Sequence, residues 1–313
     1  MATLPEQAVN AVGEIFGRHS GHRAVHAKGV LCAGTFTATP AAARLTRAAH
    51  MQGEPVEVTV RFSNASGDPD APDGIPDGRG MATKLYLPDG SRTDIVTVSA
   101  GQFFARTPEQ FIEFNHAIRG GSGERPRPKP LRMLWYLLRH PKAARAVRAI
   151  REVKPIESYA RCRYNSLHAF RWIDAEGNAR NVRYSWIPEE GEASISAEEA
   201  KSRPDDYLQR DVAERLAARR PIRFALELQL GGEDDPTDDP RVAWPEDRER
   251  VVAGALELTA LDTRRERDGD VLVFDPTRVT DGIELTDDPI LRFRAKAYSV
   301  SVERRSGAPA PHA

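Results

Sequence analysis

Two stretches place large apolar residues at every second position, and this alternation constrains the fold more than any other feature. In residues 56–63, Val56, Val58, Val60 and Phe62 fall on one side, and Glu57, Thr59, Arg61 and Ser63 on the other. In residues 224–230, Phe224, Leu226, Leu228 and Leu230 form the apolar side. A period of two residues marks a strand with one side against a core. Further strands are expected at 24–37, 81–87, 94–98, 166–174, 179–187 and 254–259, with a turn at 175–178 between the fourth and fifth. Helices are expected at 108–119, in a hairpin at 131–139 and 142–153, and at 205–220 behind Asp205 or Asp206 as cap. The last helix starts at Asp288-Pro289 and runs to about Arg305. The Pro/Gly/Asp-rich residues 68–80 read as a long ordered loop, and 120–130 as a basic, Pro-bounded one. No repeat and no clean linker breaks the chain. The expectation is therefore one α+β domain over 1–313, built on a closed antiparallel β-barrel of about eight strands, with its core at about 19–305 and a disordered tail at 306–313.

A chain of 313 residues can bury a core without disulfide staples. Lys and Arg total 45 against 46 Asp and Glu, so overall charge points to neither nucleic acid nor an anionic membrane as main partner. The arginines after the basic loop read as a solvated helical face. The longest apolar run, 134–138, is far below the ~20 residues a membrane span needs. The opening residues MATLPEQAVNAVGE include glutamates and no basic region, unlike a secretory signal. Cys32 and Cys162 have no metal-ligand spacing and suit a reducing cytoplasm.

On the last helix, Arg294, Tyr298 and Arg305 lie within roughly 40° of one another at ~100° per residue. A tyrosine ligates ferric iron as the phenolate, and a cation one turn away favours that charged form. A surface helix with scattered arginines and a core tyrosine is the plain alternative.

Further motifs stand upstream in a fixed order. Arg23-Ala24-Val25-His26-Ala27-Lys28-Gly29 places a histidine at the head of a strand. Arg61-Phe62-Ser63, Asp77-Gly78-Arg79-Gly80 and Phe103-Phe104-Ala105-Arg106 follow. This series, ending in the Arg294–Tyr298 pair, resembles the haem catalases. Residues 163–187 are similar to that family's central hairpin and Phe274-Asp275-Pro276 to its FDP segment. The likeness covers roughly 19–305.

The resemblance implies a catalase-like barrel that binds haem b. It makes His26 the distal acid–base group, Ser63 the residue that orients it, and Tyr298 the axial iron ligand, with Arg294 bonded to the phenolate. His168 and Asp288 complete a proximal charge chain, Asp288 doubling as helix cap. Arg23, Arg61 and Arg305 match the propionate-binding arginines, and Phe103 and Phe111 the aromatic wall. Each has a structural alternative: a hydrogen-bonded core histidine, an ordinary strand serine, aromatic core packing.

Two departures qualify the likeness. The family carries a distal asparagine five residues before the first phenylalanine of the FF pair, where this chain has Val98. Valine donates no hydrogen bond, and a lost donor of that kind costs roughly 10²–10³ in rate; Ser99 is expected to face the other way. The chain is also short, like the reduced, catalase-related peroxidases of bacteria. The expected function is thus a haem peroxidase using hydrogen peroxide or organic hydroperoxides to oxidise an organic donor, with weak or no catalase activity. Alternatives are a fatty-acid hydroperoxide isomerase of the allene oxide synthase type, a non-catalytic haem-binding protein, and a barrel without haem. The expected partners are small molecules, with no nucleic acid and no membrane span, and a homodimer is the candidate assembly.

Overall fold

The computed structural model describes residues 2–119, 130–263 and 272–306. Helices are α1 (Leu4–Phe16), α2 (Pro40–Ala43), α3 (Pro108–Ile118), α4 (Pro130–Arg139), α5 (Ala144–Arg151), α6 (Ala197–Ser202), α7 (Tyr207–Ala217) and α8 (Pro289–Ser306). Strands are β1 (Gly29–Ala38), β2 (Val56–Asn64), β3 (Arg79–Tyr86), β4 (Arg92–Val98), β5 (Tyr164–Asn165), β6 (Phe170–Ile173), β7 (Ala179–Pro188), β8 (Ile222–Leu230), β9 (Arg250–Leu261) and β10 (Ile283–Leu285). The ring β7-β5-β4-β3-β2-β1-β9-β8 closes through β7–β8 pairing, giving an eight-stranded antiparallel barrel with β6 added along β7 and β10 along β6. The basic 120–130 loop, apart from Pro130, and the tail beyond Ser306 lie outside the described residues.

The expected alternation holds inside the barrel. Val56, Val58, Val60 and Phe62 of β2, and Phe224, Leu226, Leu228 and Leu230 of β8, are all buried in one core with Phe36, Trp186 and Tyr184. The second side of β2 departs from a solvated strand: Thr59, Arg61 and Ser63 are 2%, 7% and 4% exposed. A covered polar face is where a barrel can carry chemistry, because buried polar groups there hold fixed positions.

That outer face is anchored by a buried ion pair across β3 and β4. Lys84 Nζ lies 2.5 Å from Asp94 Oδ1, while Asp94 Oδ2 accepts from Arg278 Nη1 at 2.8 Å and from the Asp275 backbone at 2.9 Å. Burial pushes the Asp94 carboxyl up and the Lys84 ammonium down from their ordinary values. Removing one partner of such a pair leaves the other uncompensated. Asp94→Ala is therefore expected to lose about 3–5 kcal/mol of stability, read from the guanidinium unfolding midpoint.

Several expectations need correction. His26 is not in a strand: its φ is 55°, and its backbone N–H bonds Ala65 O at 3.2 Å, so β1 begins only at Gly29. The 166–174 strand is broken, because Ser166 Oγ accepts the Tyr184 N–H and donates to His168 O, interrupting the ladder between β5 and β6. Asp206 precedes α7 without a side-chain cap bond and instead pairs with Arg210 at 2.7 Å. The second hairpin helix starts with a 3₁₀ turn at Pro141–Ala143. The 68–80 loop is ordered as expected: Arg79 donates to Asp73 O and Ile75 O at 2.7 and 2.9 Å, and the Asp73 carboxylate accepts from Asn64 and Leu208 N.

Candidate active site

Asp288 has two separate tasks, one for each carboxylate oxygen. Oδ1 accepts the backbone N–H groups of Ile290 and Leu291 at 2.8 and 3.2 Å, capping α8. Oδ2 lies 2.7 Å from His168 Nδ1. On the far side of that imidazole, Arg294 Nη1 lies 3.2 Å from His168 Nε2. An arginine N–H can only donate, so Nε2 accepts and the His168 proton sits on Nδ1, given to Asp288. Burial holds His168 below the ordinary histidine range, against the opposing pull of Asp288, in keeping with this neutral tautomer. Arg294 then directs Nε and Nη2 at Tyr298 Oη, at 2.9 and 2.5 Å. Two N–H donors converging on a phenolic oxygen stabilise negative charge there.

The other group forms where β2, β3 and the segment before β1 meet. His26 Nδ1 lies 3.0 Å from Ser63 Oγ. The ring rests on Gly80, where an added Cβ would come within 2.9 Å of His26 Cε1 and Nδ1 and of Ser63 Oγ. The positive φ at His26 is a strained setting for a histidine, held by backbone bonds from His26 and Ala27 to Ala65 and Ser66. Burial first, then the guanidiniums of Arg61, Arg294 and Arg23, pushes the His26 imidazole down to about 3. Arg294 thus belongs to the tyrosine chain and also contributes to lowering the His26 imidazole.

The remaining residues expected at the site are placed as follows. Arg61 Nη2 donates to Ala27 O at 3.1 Å and Arg23 Nη2 to Leu272 O at 2.7 Å. Arg305 is half-buried, forms no hydrogen bond or ion pair among the described residues, and has its pKa lowered by burial. The rings of Phe103 and Phe111 are stacked, 6.1 Å apart and 12° from parallel, and both are only half-buried. Val98 pairs with Gly80 across β3 and β4, which puts its side chain on the His26 face. Ser99 Oγ accepts the Arg79 N–H at 2.9 Å and is used there.

This donor set fits a haem. A phenolic oxygen backed by an arginine suits a ferric iron ligand, a half-buried guanidinium without a counter-charge among the described residues suits a propionate, and paired half-buried aromatic rings suit a flat macrocycle.

The family model described as Catalase matches residues 16–311. The chain belongs to the catalase family. It is 46% identical over 304 residues to the catalase-related peroxidase of Mycolicibacterium paratuberculosis, covering 97% of this chain and 95% of that protein. It is 32% identical over 302 residues to the catalase-related peroxidase of Synechococcus elongatus, covering 96% and 88%. Catalase-2 of Bacillus subtilis is 28% identical over 306 residues, 93% of this chain but 44% of that longer enzyme. Membership of the catalase family implies haem, a peroxide substrate and oxidoreductase chemistry. Among the described residues, no helix is long and apolar enough to cross a membrane.

Two neighbours of the site were not among the residues singled out from sequence. Gly80 is needed for the packing of the His26 ring, and the Asp77–Gly80 motif was its only signal. Asn165 pairs directly with Val98, and its Oδ1 accepts from Ser185 Oγ at 3.0 Å and Arg163 Nε at 3.3 Å. Nothing in local spacing links positions 98 and 165; barrel closure brings them together.

Proposed function

We propose that the chain is a haem b peroxidase that uses hydrogen peroxide or an organic hydroperoxide to oxidise an organic donor, with weak or no catalase activity. The observation that supports this reading is the unbroken chain Asp288–His168–Arg294–Tyr298, together with the His26–Ser63 pair and a valine where the resemblance expects the distal asparagine. The two bacterial relatives of similar length named above carry the name catalase-related peroxidase.

When bound, haem supplies the iron at which peroxide is reduced and the oxidising equivalents passed to the donor. Tyr298 holds that iron. Arg294 directs two N–H groups at the phenolic oxygen that would hold the iron, and His168 with Asp288 keeps Arg294 in position. Arg23, Arg61 and Arg305 hold the propionates, while Phe103 and Phe111 line the macrocycle. Ser63 occupies Nδ1 of His26, so Nε2 is the nitrogen that takes a proton from one peroxide oxygen and returns it to the leaving one. Val98 offers no N–H to the substrate. In the same reading, residues 1–313 form one haem-binding domain that works in the cytoplasm.

An absorption spectrum of the purified protein, followed by oxygen evolution and phenolic-dye oxidation with hydrogen peroxide, tests the proposal. A high-spin ferric spectrum with dye turnover and little oxygen is expected; rapid oxygen release or a haem-free protein would overturn it. Val98→Asn is expected to raise oxygen evolution, by up to roughly 10²–10³-fold if the new amide alone restores the missing donor. No rise on a Clark electrode would detach position 98 from the catalase deficit.

A further inference from the structure

The α4–α5 hairpin carries apolar side chains on two opposite sides. Its inner side, with Met133, Tyr136, Ala143 and Val147, is buried against Phe114 and Ala117 of α3. Among the described residues its outer side has no such cover. Leu131, Leu134, Trp135 and Leu138 stand at i, i+3, i+4 and i+7 on one stripe of α4 and are 73%, 53%, 67% and 65% exposed. Singly exposed leucines are ordinary, but a contiguous stripe of this kind marks an interaction surface.

The charge around the stripe identifies what it meets. Residues 130–154 hold seven Lys and Arg against one acidic residue, Glu152, in a chain whose net charge is −1. Arg132 and Arg139 stand roughly 80–100° round α4 from Leu131, beside the stripe. Lys142, Arg145, Arg151 and Lys154 are exposed and form no ion pair among the described residues. Arg139 pairs with Glu113 at 3.7 Å and Arg148 with Glu152 at 2.9 Å, which leaves Arg132, Lys142, Arg145, Arg151 and Lys154 as the cations without an ion pair among the described residues. Exposed leucines and a tryptophan on a short helix in such a basic segment are the composition of an interfacial element that lies on a bilayer without crossing it. A twofold contact with a second copy would press the same cations together.

We propose that this hairpin seats the protein on the surface of an anionic lipid bilayer, the leucine and tryptophan side chains entering the acyl boundary and the cations meeting lipid phosphates. The proposal is independent of the haem chemistry.

Trp135 reports on it directly, because Trp172, Trp186 and Trp244 are 0%, 0% and 3% exposed. The full chain is mixed with vesicles of phosphatidylcholine alone or with about a third phosphatidylglycerol, a mimic of an anionic leaflet. The expected result is co-flotation and a blue-shifted tryptophan emission on the anionic vesicles only. Leu134→Glu with Trp135→Glu should lower flotation at least about ten-fold, and so should Lys142→Glu with Arg145→Glu, which keeps the reporter tryptophan. All four side chains are exposed, so far-UV circular dichroism and the melting temperature should stay unchanged. Absent flotation, equal flotation on neutral vesicles, or a charge-reversed variant that floats like wild type would overturn the proposal. So would a concentration-dependent dimer in sedimentation that Leu134→Glu abolishes, since that gives the stripe to a second copy.

Discussion

Tyr298→Phe is expected to purify with little or no haem, or with a ferric spectrum unlike that of the parent. Phenylalanine keeps the ring and its packing but removes the oxygen on which Arg294 Nε and Nη2 converge. Even partners that only orient a metal ligand are worth roughly 10–100-fold in metal affinity, so loss of the ligand should exceed that range. Haem per chain, from the pyridine haemochrome, and the ferric absorption spectrum are the measurements. Stoichiometric haem with an unchanged spectrum would mean that another residue holds the iron. His168→Ala separates ligand from support: it leaves Tyr298 in place but frees Arg294 Nη1, so haem should be retained with a shifted spectrum.

His26→Ala should give the opposite pattern, with full haem content and a loss of roughly 10²–10⁴-fold in peroxide turnover, the range supplied by a positioned proton-transfer group. Stopped-flow absorbance after mixing with hydrogen peroxide reads it, and a variant reacting at the parental rate would remove His26 from the mechanism. The pH profile is a second signature. In the proposed mechanism the neutral imidazole takes the proton, so protonation on acidification would abolish turnover. Burial and the guanidiniums of Arg61, Arg294 and Arg23 push His26 down to about 3, so the neutral form persists well below the ordinary histidine midpoint near 6.5. Dye-oxidation rates are therefore expected to show no acid limb near pH 6.5, with any His26-controlled fall confined to about pH 3–4. A midpoint near 6.5 would contradict the buried, cation-flanked setting.

Much of the site was legible because its members sit in short motifs. His26 and Arg23 are three residues apart, Arg61 and Ser63 share a strand, and Arg294 and Tyr298 share a helix face. Local geometry of strands and helices fixes those relations before any tertiary contact forms. The break at 166–169 was less legible, because a serine replacing a ladder bond leaves the apolar pattern intact. The backbone of His26 was hidden for a related reason: nothing in a non-glycine residue announces a positive φ.

The hairpin shows the limit of reading by totals. A near-neutral chain conceals a local excess of cations, and the apolar run Leu134–Leu138 does not by itself say which of its side chains face water. In the structure α4 buries Met133 and Tyr136 and leaves Leu134, Trp135 and Leu138 outside.

By itself the sequence determined the strand period, the cap of the last helix, the order of the motifs and the valine at position 98. These depend on neighbours a few residues away. Tertiary structure alone decided that the second side of β2 is covered, that His168 meets Arg294 across 126 positions, that Asn165 lies beside Val98, and which side of α4 faces water. Periodicity reports that a side chain has a face, whereas the partner of that face is set by closure of the barrel and the helices packed around it.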